Sequence, residues 1–131
     1  AGYLTGSGLQ SRTTAQLTQF INSGASTNVT FTTPKAYALM SIQTNVAAWV
    51  TLYSDTTSRT NDASRSETTD PTPGSGVLAE VITTGSATQL ISPGTICFNS
   101  SPTNATYAKI VTKSGSTTNV TVTLTFVQIE A

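Results

Sequence analysis

From residue 27 onward apolar side chains recur at every second position, and β-branched or aromatic residues fill those positions. Alternation of this kind marks strands with one buried and one wetted face. The clearest run is Asn119-Val120-Thr121-Val122-Thr123-Leu124-Thr125-Phe126-Val127-Gln128-Ile129, where Val120, Val122, Leu124 and Phe126 face one way and the threonines the other. Near Val127 the alternation changes phase. This predicts a bulge or a strand end covered on both faces, because a one-residue slip otherwise exposes the whole apolar set. Further strands are expected over Val29 to Thr33, Ala36 to Gln43, Ala48 to Ser54, Val77 to Thr83, Gln89 to Ser92, Ile96 to Asn99 and Tyr107 to Thr112. Thr33-Pro34, Thr84-Gly85, Ser92-Pro93-Gly94 and Lys113-Ser114-Gly115-Ser116 separate them, Pro and Gly supplying the fixed or positive φ that turns need. Few residues remain to build covering helices, so one sheet must cover the other. The fold class read from this pattern is all-β: a single antiparallel β-sandwich of about seven or eight strands.

Within that frame Trp49, Leu52, Leu39, Ile42, Val81, Ile110 and Phe126 are expected in the core, with Tyr37, Tyr53 and Tyr107 near the sheet ends. Trp49, Thr51 and Tyr53 share one face of their strand and Val50 and Leu52 the other, which favours a core Trp49 over a sugar-stacking platform. Residues 1–26 read differently, with early glycines and isolated apolar positions, and are assigned as an extended N-terminal arm ahead of a sandwich domain at 27–131. Inside the arm, Leu17, Phe20 and Ile21 stand at helical spacing, and the same stretch also suits an extra edge strand. A sparsely apolar terminus orders on docking to a neighbour, which makes this arm a first candidate for subunit contact.

Composition narrows the function classes. The chain of 131 residues carries six basic and six acidic side chains and no histidine. Charged residues make up 9%, far below the usual figure of about 25%, whereas 28 Thr and 16 Ser make 44 hydroxylic residues, so hydroxyls wet this surface. Zero net charge and scattered cations leave no electrostatic footprint for nucleic acid or an anionic membrane. Without histidine most catalytic triads and zinc sites are excluded. The lone Cys97, flanked by Ile96 and Phe98, reads as a core thiol with no partner base. No stretch reaches the roughly 18 apolar residues that span a bilayer, and no signal peptide is expected at Ala1-Gly2-Tyr3-Leu4. The small Ala1 fits removal of an initiator Met.

The segment 54–75 breaks the pattern. It has no strand or helix periodicity and holds six of the twelve charges, Asp55, Arg59, Asp62, Arg65, Glu67 and Asp70. A connection of this length in a compact domain is functional or disordered. Asp55, Asp62 and Asp70 lack the close spacing with which one tight loop wraps calcium, and nothing in sequence brings two carboxylates to the separation glycoside hydrolysis needs. The favoured reading is structural: Arg59 and Arg65 fork onto carboxylates or backbone carbonyls and fix the loop against the sandwich or a partner. Phosphate-binding glycine signatures and Cys or His metal spacings are missing, and no cofactor is expected.

The succession Ala38-Leu39-Met40-Ser41-Ile42-Gln43-Thr44, Ala47-Ala48-Trp49-Val50-Thr51-Leu52-Tyr53, Asp62-Ala63-Ser64-Arg65, Asp70-Pro71, Gly76-Val77-Leu78-Ala79-Glu80-Val81, Ile91-Ser92-Pro93-Gly94 and the Val-Thr-rich final strand resembles small β-sandwich virion proteins of tailed bacteriophages, especially phages of cyanobacteria. The resemblance spans residues 36–131; the first 35 residues carry no such motif. It implies a structural role, alone or as a module of a larger tail or fibre protein, and brings no catalytic residues. The expectation is a non-enzymatic virion subunit, made in the host cytoplasm: a capsid decoration or cement protein, or a small fibre or appendage subunit. Its partners would be copies of itself and other virion proteins, neither nucleic acid nor membrane. The candidate assembly contacts are Leu17, Phe20, Ile21, Asp55, Arg59, Asp62, Arg65 and Asp70. The alternative is a carbohydrate-binding, host-receptor-binding module with exposed aromatics and a surface glycan as ligand.

Overall fold

The computed structural model describes residues 11–131. Among the described residues eight strands and one short helix follow in chain order: β1 (Thr13–Ile21), β2 (Ser26–Phe31), β3 (Ala36–Thr44), β4 (Ala48–Tyr53), α1 (Thr56–Asn61), β5 (Val77–Ile82), β6 (Ala87–Phe98), β7 (Thr106–Thr112) and β8 (Thr118–Glu130). They form two antiparallel sheets of four strands, β1-β8-β3-β6 (sheet I) and β2-β7-β4-β5 (sheet II). This is the all-β sandwich that the alternation predicts. Inward residues of both sheets, among them Leu39, Ile42, Val50, Leu52, Ile110, Val122, Leu124 and Phe126, merge into one buried cluster. Removing this much apolar surface from water is the main favourable contribution to folding. The core also holds hydroxyls, and they are satisfied. The Thr106 hydroxyl lies 2.7 Å from that of Thr33 and 2.8 Å from the Tyr37 phenol, and Thr44 meets Thr83 at 2.7 Å.

The strands are eight, as expected, but not the same eight. Gln89 to Ser92 and Ile96 to Asn99 are two halves of one strand, β6, because both pair with the unbroken β3. The register passes from Leu39↔Thr95 to Ser41↔Leu90, so Ile91-Ser92-Pro93-Gly94 stand opposite Met40 alone as an excursion. Pro93 has no N–H to donate, and β6 is an edge strand, where that loss is tolerated. The phase change near Val127 corresponds to a bulge: Ala36 pairs with Glu130 and Tyr37 with Gln128, leaving Ile129 over.

Of the arm expected at 1–26, residues 1–10 lie outside the described residues, and of the two readings of the stretch with Leu17, Phe20 and Ile21, helix or edge strand, the structure has the edge strand. Residues 13–21 are an edge strand of sheet I, in full antiparallel register with β8 from Thr13↔Phe126 to Ile21↔Thr118. In a helix, Leu17, Phe20 and Ile21 would share one face. The strand's period of two instead turns Leu17 and Ile21 inward against the core and sends Phe20 outward. Pairing with β8 supplies the backbone hydrogen bonds that a lone helix of this sequence would have to make from poor helix formers.

Candidate functional site

Segment 54–75 is neither free nor shapeless. It starts as α1, six residues of low helix propensity started by a side-chain cap: Asp55, in extended backbone, accepts a 2.7 Å hydrogen bond from the Ser58 N–H. Its carboxyl is held below the usual range, first by that N–H and then by hydroxyls including Ser100. Tertiary contacts complete the helix. Arg59 reaches across to the carbonyls of Val29 (2.9 Å) and Ala108 (3.4 Å) with its guanidinium 5.5 Å over the Tyr107 ring, joining α1 to β2 and β7. The segment thus lies on the outer face of sheet II, and every residue of β4 is buried.

Beneath it sits a charge cluster. Alternation puts Trp49, Thr51 and Tyr53 of β4 outward beside Glu80 of β5 and Lys109 of β7. Arg65 reaches down from the loop with its Nε 2.8 Å and Nη2 3.1 Å from the two oxygens of Asp62, and it also pairs with Glu80. Glu80 accepts from Trp49 Nε1 at 2.8 Å and Thr51 at 3.1 Å; Asp62 accepts from the Tyr53 hydroxyl at 2.6 Å. The Arg65 guanidinium and the Lys109 ammonium stand 5.5 and 4.8 Å from the Trp49 ring, within cation–π range. Two anions meet two cations, so the cluster is neutral. The Arg65 side chain is 8% exposed.

The environment orders the ionisations. Burial alone would raise the Asp62 carboxyl, but hydrogen bonds from Arg65 and Tyr53 and the charges of Arg65 and Lys109 outweigh it and hold it below the ordinary range. Hydrogen bonds to Asp62 and Glu80 raise Arg65, while burial lowers Lys109. Asp62 and Glu80 are both saturated by donors, an arrangement that holds a loop down. Among the described residues no cluster of three or more metal-ligating side chains occurs. Cys97 is fully buried, and burial pushes its thiol up to about 12, which keeps it protonated and inert at neutral pH.

Of the residues expected as assembly contacts, Asp55, Arg59, Asp62 and Arg65 thus serve the chain's own fold; both foreseen arginine roles occur, carbonyls for Arg59 and carboxylates for Arg65. Asp70 is exposed beside a hollow of about 290 Å³ lined also by Ser58, Asn61 and Ser75. Leu17 and Ile21 are turned into the core, and Phe20, 61% exposed, is the one apolar side chain of that group left at the surface. Trp49 is 6% exposed and Tyr37 and Tyr53 are fully buried, so none of the three offers a ring to a sugar. Trp49 is buried under the loop and not in the inter-sheet core. Glu80 and Lys109 were not singled out from the sequence, though each is a charge at an outward position of an apolar strand, the one signal that could have marked them.

The opposite face of the molecule differs. Nine of the charges, Asp55, Arg59, Asp62, Arg65, Glu67, Asp70, Glu80, Lys109 and Lys113, belong to sheet II, the segment over it or the turn after β7. The other three, Arg12, Lys35 and Glu130, gather at one end of sheet I. Within its strands the described outer face of sheet I carries hydroxyl, amide and apolar side chains. Leu90 and Ile96 of β6 are 69% and 55% exposed there, beside Met40 and a groove of about 480 Å³ lined by Arg12, Ala38, Met40, Ile91 and Gly94. The chain matches no protein-family model, no curated protein and no solved structure.

Proposed function

We propose that the chain is a non-enzymatic structural subunit of a tailed-phage virion, a capsid decoration or cement protein or a small fibre or appendage subunit, working through protein–protein contacts. The observation that carries this reading is the charge-poor outer face of sheet I, with its exposed Leu90, Ile96 and Met40 and Arg12 as the one cation at its groove. Exposed apolar surface of this kind marks interaction sites, and depletion of charge is the compositional sign of an interface centre. The likeness of residues 36–131 to small phage β-sandwich proteins supplies the virion setting, and the donor-saturated carboxylates of sheet II favour structure over catalysis. Its partners on this reading are copies of itself and other virion proteins. The glycan-binding alternative draws no support from the buried Trp49. The test is immunogold electron microscopy of purified virions of the phage encoding the chain, with antibody raised against the purified protein. Gold at regular positions on shell or appendage is expected; gold found only in the soluble lysate overturns the proposal.

A further inference from the structure

Resting on that reading of an assembly subunit, we infer that the outer face of sheet I is a self-association surface, on which a second copy of this chain packs its own sheet I face to face with Met40, Leu90 and Ile96 at the centre. Three strands build the patch. The β3–β6 and β3–β8 registers place Ala38 opposite both Ile96 and Val127, and Ser41 opposite both Leu90 and Thr125, so these side chains share one outer surface. The excursion Ile91 to Gly94 opens the groove beside Leu90, so a projecting leucine and a recess lie side by side on one face. A two-fold axis in the interface plane needs that combination, since each copy must offer the same patch to the other.

Charge and area point to a second copy. Within the four strands the outer positions hold no charge short of Glu130 at the tip of β8, and the one cation that lines the groove, the exposed Arg12 just ahead of β1, has a side chain long enough to keep its guanidinium at the wet rim, so two such faces meet with few ions to desolvate. The remaining outer positions are mostly hydroxyl-bearing. Thr18 and Thr121 already pair at 2.8 Å, and a hydroxyl donates and accepts equally well across a two-fold. With strands about 4.8 Å apart and a rise of about 3.3 Å per residue, four strands of the length of β3 present roughly 570 Å² in projection. That approaches the roughly 800 Å² that one partner contributes to a stable interface.

The test is sedimentation velocity of the full chain over a wide concentration range, beside a Leu90→Glu/Ile96→Glu variant and an Asn28→Glu variant that puts one charge on an exposed position of sheet II. Wild type and Asn28→Glu are expected to dimerise alike, and the double variant to dimerise at least about a hundredfold more weakly, since buried leucine and isoleucine are lost from both copies. Matching circular dichroism melts check its folding, and a Leu90→Ser variant gives the same readout with less perturbation. A wild type that stays monomeric throughout, or a dimer indifferent to these substitutions, overturns the inference. A monomer that nevertheless decorates virions removes only the self-association. A dimer absent from virions removes only the virion reading.

Discussion

At the scale of the residue, the Asp62–Arg65–Glu80–Lys109 cluster links sequence to stability through protonation. The Asp62 carboxyl is depressed in the folded chain and takes the ordinary value of about 3.9 when unfolded. Between those two values the unfolded chain binds a proton that the folded chain does not, so stability rises with pH through the window. The contribution is complete above about pH 5 and is lost as pH falls through the folded value. Asp62→Asn should cost about 2 kcal/mol at neutral pH, because Arg65 loses its charged partner in a largely buried site, and should make the acid limb shallower. Asp55, also depressed, keeps part of that limb. Urea denaturation of both proteins between pH 2 and pH 7 measures each effect, and parallel acid limbs would contradict this account. The role of Arg65 in this cluster was legible in sequence, because a guanidinium among carboxylates has few other uses. Glu80 and Lys109 were not, because nothing local says that a loop covers their face.

At the scale of the element, segment 54–75 shows tertiary structure overriding propensity. Threonines, a serine and an asparagine make a poor helix, yet α1 forms where Asp55 caps it and Arg59 fastens it. The return of the loop into β5 depends on Gly76, with φ at +92°, whose carbonyl accepts from the Ser54 N–H at 3.0 Å. A Cβ added there would stand 2.0 Å from Ser58 Oγ and 2.6 Å from Ser58 Cβ. Gly76→Ala therefore strains the backbone and displaces Ser58 from the helix start. The expected cost is about 2 kcal/mol. The loosened loop should also expose Trp49 to acrylamide quenching, which the buried wild-type indole resists; equal quenching in both proteins would show that Gly76 does not hold the loop down. β6 makes the same lesson in a strand: Pro and Gly predict a turn, and only pairing of both flanks with β3 turns it into an excursion within one strand.

At the scale of the whole molecule, charge is segregated. Sheet II and its covering loop consume most of the ions internally, and the strands of sheet I are left mainly with hydroxyls and hydrocarbon. The proposed association through such a face would be driven by apolar burial with no ion pair at its centre, so raising salt from 50 to 500 mM should leave the dimer as strong or stronger. A marked weakening with salt, read from sedimentation at both conditions, would place the contact on sheet II instead. The sequence by itself determined the strand alternation, the sandwich class, the inward set from Leu39 to Phe126 and the phase change near the end of β8, because period-two patterning acts through neighbours along the chain. Tertiary structure alone decided that residues 13–21 join sheet I and that Phe20 parts company with Leu17 and Ile21. It also decided that Trp49 is buried by a loop, and that most of the charges gather on sheet II. Each of those depends on which distant strand or loop comes to lie alongside, and that choice is made by the free energy of packing the whole chain.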